Sequence, residues 1–172
     1  MTTNRQEPAQ VSLPSDHEVI VTRTFAAPRA LVYRAYTEPA LMQRWLDGPP
    51  GWTMPVCEMD VREGGAYRWS WRSDEDGKEF GFHGVFEEVD PPARIRHTQR
   101  YDPGDMGGSM NEAGDVMITL TFEERDGATT VTTRLEYGSK EARDGAMASG
   151  MTDGMELSYQ HLDTLLSESR SE

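Results

Sequence analysis

The stretch "YRWSWRSDEDGKEFGFHGVFEEVDPPARIRHTQRY", residues 67–101, alternates large apolar and polar side chains and is broken twice by turn chemistry, at Asp76-Gly77 and at Asp90-Pro91-Pro92-Ala93. Alternation with period two describes strands that bury one face. If Asp76-Gly77 is a two-residue hairpin loop, Trp71 faces Phe82, Trp69 faces Gly84 and Tyr67 faces Phe86. With Pro91-Pro92 as the next loop, Phe82 faces Tyr101, Gly84 faces Gln99 and Phe86 faces His97. Arg68, Ser70, Arg72, His83, Glu87, Arg94, Arg96, Thr98 and Arg100 then share the opposite face, which belongs to water.

The same logic extends downstream. An Asp126-Gly127 hairpin pairs Ile118 with Leu135, Leu120 with Thr133 and Phe122 with Val131, while Thr119, Thr121, Thr132 and Arg134 point away. Three independent turns therefore define one inner face, and a one-residue slip in any of them would put apolar residues in solvent. Upstream, "HEVIVTRTF" (17–25) is a strand. Pro28 opens the helix "PRALVYRAY", Thr37 is a cap for a second short helix "EPALMQRW", and "GWTMPVCEMDV" (51–61) is another strand.

From Ser139, an N-cap, to Glu168 the chain reads as one helix of about 45 Å. Met147, Met151, Met155 and Tyr159 recur every four residues and drift to Leu162, Leu165 and Leu166, an apolar stripe that must cover the inner face of the sheet. The expected fold class is α+β: a curved antiparallel sheet of about seven strands around a long C-terminal helix, with two short helices after the first strand. Residues 1–16 are polar, broken by Pro8 and Pro14, and read as a loosely held leader; 17–168 form a single domain and 169–172 a tail.

Bulk properties exclude several functions. Seventeen Lys and Arg against 30 Asp and Glu give a net charge of -13, unsuited to nucleic acid or an anionic membrane surface. Cys57, the single cysteine, has no disulfide partner in the chain, and no apolar run is long enough to span a bilayer, so a cytoplasmic address is expected. His17, His83, His97 and His161 lack metal-ligand spacing, and phosphate-cradling glycine motifs and nucleophile elbows are missing. No metal or other cofactor is expected.

The order of strand, two short helices, six strands and long helix, with "RWLDGPPGW", "VREGGAY", "GVFEEVDPPARI" and "SGMTDGM", resembles the heat-shock protein 90 ATPase activator-like branch of the START-like (SRPBCC, birch-pollen-allergen-like) superfamily over roughly residues 17–167. The resemblance implies a helix-grip fold with an apolar cavity between sheet and helix. The superfamily includes lipid and polyketide binders, cyclases and a chaperone-activating domain. The eukaryotic activator resembles this chain only in its C-terminal domain; the Asn-Asn-Trp-His-Trp element of its separate N-terminal domain has no counterpart here.

In that frame the candidate cavity is lined by Tyr67, Trp69, Trp71, Phe82 and Tyr101 on the sheet and Met147, Met151 and Met155 on the helix, with Trp45 and Trp52 at its rim. Gly145, Gly150 and Gly154 leave bare backbone where a ring or ligand could approach. Plain core packing is the competing reading of the methionine stripe, as plugging the end of the sheet is for Trp45 and Trp52. His97 and Gln99 are hydrogen-bonding anchors, with Gly84 leaving room beside Gln99; alternatively His97 bonds to a core carbonyl or to Tyr67. The glycine-rich loop "DPGDMGGSMNEAGD" (102–115) either covers the cavity mouth or is a passive connection. The leading function is binding of a small hydrophobic or aromatic molecule, with a homodimer compatible. A cyclase or hydrolase-like enzyme would use His97 as acid/base with Gln99 or Tyr101 orienting substrate. A chaperone-regulating interaction is the third reading.

Overall fold

The alternating segments form one antiparallel sheet. In chain order the elements are β1 (Gln10–Ser12), β2 (Glu18–Phe25), α1 (Arg29–Thr37), α2 (Pro39–Trp45), β3 (Trp52–Met59), β4 (Ala66–Ser73), β5 (Glu79–Asp90), β6 (Arg94–Asp102), β7 (Val116–Arg125), β8 (Ala128–Glu136), α3 (Lys140–Ala148) and α4 (Met151–Arg170). The computed structural model describes residues 7–48, 50–102 and 115–170. In space the strands run β1-β2-β8-β7-β6-β5-β4-β3, so β2 crosses over to pair with β8 and the rest is a meander. The expected class holds: an α+β helix-grip architecture, with eight strands rather than about seven.

Register tests the three turns separately. At Asp126-Gly127 every expected pair is present, Ile118 with Leu135, Leu120 with Thr133 and Phe122 with Val131. Both turn residues have positive φ, 54° and 79°, as a type I′ turn requires. Between β5 and β6, Phe82 faces Tyr101 and Phe86 faces His97 as expected, and a bulge then absorbs one residue between Phe86 and Glu88.

The first hairpin differs. Tyr67 faces Gly84, Trp69 faces Phe82 and Trp71 faces Phe80, because the loop is longer: Gly77 N–H donates to Ser73 O at 2.8 Å, and Lys78 N–H to the Asp76 carboxylate at 3.1 Å. The shift is two residues, so no side chain changes face. Gly84 explains the choice. A Cβ there would lie 2.0 Å from Thr98 O and 2.8 Å from the Tyr67 ring, so the space expected beside Gln99 is filled by Thr98 backbone and the Tyr67 side chain.

Several local expectations are corrected. Gln10–Ser12, inside the segment read as a loose leader, pairs with Ile20–Thr22 of β2, and Ala9 N–H donates to Glu156 Oε1 at 2.8 Å. Thr37 caps nothing: its hydroxyl donates to Tyr33 O, and α2 begins after Glu38 with Pro39 in its first turn. Ser139 does cap α3, accepting from Ala142 N–H at 3.1 Å. The C-terminal helix is two helices rather than one. Gly150, at φ +81°, ends α3, and α4 begins at the next residue. Gly145 and Gly154 are exposed, and a Cβ at either would meet nothing within 4 Å. Among the described residues no ring packs against these three glycines; one breaks the helix and two face outward.

The core joins Val19, Val21 and Phe25 of β2, Ile118, Leu120 and Phe122 of β7, and Val131 and Leu135 of β8 to Val32 and Ala35 of α1 and to Tyr159, Leu162, Leu165 and Leu166 of α4. Parity along β2 also turns Arg23 inward, where it is 2% exposed. Its Nε and Nη2 donate to Glu156, Nη1 and Nη2 to Asp163 at 3.0 and 2.7 Å, and Nη1 also to Thr24 O. The guanidinium lies 5.1 Å from the centre of the Phe25 ring and 5.9 Å from that of Tyr159. Burial alone would lower its pKa, but the hydrogen bonds it donates to Asp163 and Glu156 outweigh that and raise it. Glu156 is shifted the other way: burial opposes its charge, yet donors from Arg23, Ala9 and Gln160 hold its pKa below the usual value. Glu156 and Asp163 are seven residues apart, two turns along one face of α4. The pair therefore sets how the helix is rotated over the sheet.

Two measurements check this account. In urea denaturation Arg23→Met should lose about 3 kcal/mol by leaving two partly buried carboxylates without their cation. Because the folded Glu156 pKa is depressed, its stabilisation is present above the unfolded value of about 4.3 and fades as pH falls through the folded value; Arg23→Met should lack most of that acid-side loss. Gly145→Ala and Gly154→Ala should each stabilise by about 0.5–1 kcal/mol, whereas Gly150→Ala should destabilise by about 1 kcal/mol at its left-handed position.

Candidate functional site

Strand parity places Tyr67, Trp69 and Trp71 of β4, Phe80, Phe82, Gly84 and Phe86 of β5, and His97, Gln99 and Tyr101 of β6 on one inner face. Neighbouring rings are in contact. Trp71 stacks on Phe80 at 5.5 Å between centroids, Phe82 meets Tyr101 at 5.5 Å, and Tyr67 lies 4.5 Å from Trp69. Of the sheet residues expected from the sequence, Tyr67, Trp69, Trp71, Phe82, His97, Gln99 and Tyr101 all share this face. Phe80 was missed, although it sits two residues before Phe82 and so has the same parity.

Burial divides the face. Tyr67, Trp71, Phe86 and His97 are buried, while Trp69, Phe80, Phe82, Gln99 and Tyr101 are only half-buried. Along its length α4 lies beside α2, α3, α1 and, among the strands, β2; α2 in turn lies beside β3, the neighbour of β4. Met147 of α3 and Met151 and Met155 of α4 are half-buried and pack against the core, and the Tyr137 hydroxyl donates to Met151 Sδ at 3.3 Å. The three methionines are thus placed on two helices, on either side of the Gly150 break. The connection expected over the cavity mouth lies, at 103–114, outside the described residues.

The tryptophans read as rim residues separate. Trp45 is 2% exposed, its indole N–H donates to Ala35 O at 2.9 Å, and its ring tilts against Tyr36 at 4.9 Å. It belongs to the core and not to a rim, because α2 turns it under α1. Trp52 is half-buried, edge-on to Phe80 at 5.4 Å. Beside it Trp71 donates to Leu46 O at 2.6 Å. Leu46 and Trp52 are thereby tied to the end of the aromatic face.

His97 is the polar centre of the face. The Tyr67 hydroxyl donates to Thr98 O at 2.6 Å, and His97 Nδ1 lies 3.0 Å from both Tyr67 Oη and Thr98 O. Since Thr98 O can only accept and the Tyr67 proton is already committed, Nδ1 must carry the imidazole proton. Nε2 is then a bare acceptor, and among the described residues nothing hydrogen-bonds to it. Burial pushes the His97 pKa down to about 4, against a smaller upward pull from its hydrogen bond to Thr98 O. The ring is neutral at pH 7. Burial raises the Tyr67 pKa, so the phenol keeps its proton. Trp69 Nε1 is buried and, among the described residues, has no hydrogen-bond partner. Among the described residues no group of His, Cys, Asp or Glu is arranged to hold a metal ion, and no helix is long and apolar enough to cross a membrane.

An antiparallel sheet with helices on one face, its inner surface aromatic along β4–β6, defines a protein of the START-like helix-grip class. Within that class, the chain belongs to the family described as activator of Hsp90 ATPase homolog 1-like protein, whose model matches residues 26–167. It is similar to a Rhodobacter sphaeroides protein of known crystal structure, with 31% identity, 93% of this chain and 99% of that chain covered, and a TM-score of 0.84. A Chromobacterium violaceum protein is 28% identical over 88% of this chain and 98% of its own, with a TM-score of 0.73. A Staphylococcus epidermidis protein solved in solution is 26% identical over 92% and 94%, with a TM-score of 0.76. No curated protein matches the chain.

A depressed histidine pKa has a measurable sign. Below pH 6.5 the unfolded chain takes up a proton that folded His97 refuses until about pH 4, so stability falls across this window as pH drops. The loss should total roughly 3 kcal/mol. His97→Asn keeps a donor where Nδ1 lies and cannot titrate. Urea denaturation between pH 7 and pH 4 should show a flatter profile for that variant.

Proposed function

We propose that the chain binds a small hydrophobic or aromatic molecule between the inner face of β4–β6 and the methionines of α3 and α4. The observation that carries this reading is the half-burial of Trp69, Phe80, Phe82 and Tyr101. These rings face inward, beside a core whose other members are almost completely closed off. Each buries about 150–250 Å² when covered, a strong driving force for a molecule that completes the cover. The methionines proposed as the opposing wall are unbranched and polarizable, and so suit a guest of irregular shape. A cytoplasmic setting belongs to the same proposal.

The enzyme reading with His97 as acid/base and Gln99 or Tyr101 orienting substrate is weaker, because a ring with its pKa held near 4 is a poor proton donor or acceptor at neutral pH. A chaperone-regulating role needs an apolar docking patch. Among the described residues the exposed large apolar side chains are Val11, Leu13 and Val85, with Val85 on β5 and the other two near β1.

Nile red, a neutral apolar dye, should gain fluorescence with saturable, one-site binding. Met155→Trp adds bulk to the proposed ceiling and should weaken binding about tenfold or more, a loss of about 1.4 kcal/mol, with the circular dichroism spectrum unchanged. Dye binding that never saturates, or a well-folded Met155→Trp protein with undiminished affinity, would defeat the reading.

A further inference from the structure

The inner face of β4–β6 contains no charge that could neutralise an anion. Its positions hold tyrosine, tryptophan, phenylalanine, glycine, valine, isoleucine, histidine and glutamine; of the buried cations, Arg23 donates to Glu156, Asp163 and Thr24 O and Arg143 to Asp144, Ser15 O and Glu18 O. Two polar atoms on this face lack protein partners of opposite kind. His97 Nε2 is an acceptor, because Nδ1 carries the proton towards Thr98 O. Trp69 Nε1 is a donor, buried without an acceptor among the described residues, so its N–H is desolvated and unsatisfied. The two rings are neighbours on this face, 6.1 Å apart between centroids and inclined at 75°.

We infer that the site recognises a neutral hydroxyl on an aromatic or apolar body, the hydroxyl donating to His97 Nε2 and accepting from Trp69 Nε1. This inference rests on the proposed binding of an apolar molecule and specifies its polar group. A hydroxyl is the smallest group that both donates and accepts. A carboxylate accepts only; it would set its lone pairs against Nε2 and be desolvated with no cation beside it. A methyl group fits the space but leaves both nitrogens unsatisfied. The Gln99 amide, half-buried on the same strand two residues along, can bond a second polar atom on the same guest.

The probes are naphthol, methylnaphthalene and naphthoate substituted at the same ring carbon, titrated into the full chain by tryptophan fluorescence and calorimetry at pH 7. Naphthol should bind about tenfold more tightly than methylnaphthalene, and naphthoate should bind more weakly than naphthol. His97→Asn, which keeps the Nδ1-type donor and loses the Nε2 acceptor, and Trp69→Phe, which loses the N–H, should each erase the preference for naphthol while methylnaphthalene still binds. Nitrogen NMR of the unaltered protein supplies a readout that does not depend on the variants: the His97 Nε2 resonance should move on adding naphthol and not on adding methylnaphthalene. Methylnaphthalene binding as tightly as naphthol would overturn the hydroxyl anchor and leave the apolar site standing. Naphthoate binding most tightly, with proton uptake by His97, would likewise overturn it. Binding of none of the three would overturn both the anchor and the apolar site.

Discussion

A guanidinium turned into an apolar core has to be neutralised there, and that requirement organises this molecule. Arg23 points inward because Val19, Val21 and Phe25 do; strand parity leaves it no other choice. Its charge can be held only by carboxylates that reach it, and Glu156 and Asp163 do so from one face of α4. Apolar packing alone would tolerate several rotations of that helix, since Tyr159, Leu162, Leu165 and Leu166 form a broad stripe. Charge pairing selects one of them. With that rotation set, Met151 and Met155 share the apolar face of α4 with Tyr159, where they pack against the core.

The fold was largely legible because period-two alternation survives errors of an even number of residues. The Asp76-Gly77 loop is longer than its dipeptide suggests, yet Tyr67, Trp69 and Trp71 stay on the inner face. What escaped were features with no periodic signature. A three-residue strand at Gln10–Ser12 is too short to show alternation. The division of the C-terminal helix at Gly150 was hidden by an apolar stripe that runs unbroken through Met147, Met151 and Met155. Nothing was expected of Arg23, although its place in the inward series of β2, matched by two acids seven residues apart, was a usable signal.

The candidate site was legible in membership more than in arrangement. Seven sheet residues named from alternation do share one face, whereas Trp45, singled out by its neighbourhood of prolines and glycines, sits in the core with its indole N–H bonded to Ala35 O. The place of His97 among aromatics followed from register; its tautomer did not, because that depends on Tyr67 and Thr98 O lying within 3.0 Å of the same nitrogen. The glycines of the terminal helices were misread for a related reason. Absent side chains can admit a neighbour, end a helix or simply face solvent, and only the backbone angle and surroundings distinguish the three.

The bond from Ala9 N–H to Glu156 couples the outermost strand to the buried charge pair. The same carboxylate receives Arg23, so anything that peels residues 9–12 away from the sheet removes a donor from the interior, not merely a ribbon from the rim. A truncation that removes Ala9 and the strand after it, usually regarded as innocuous, would act on this protein as an interior substitution does.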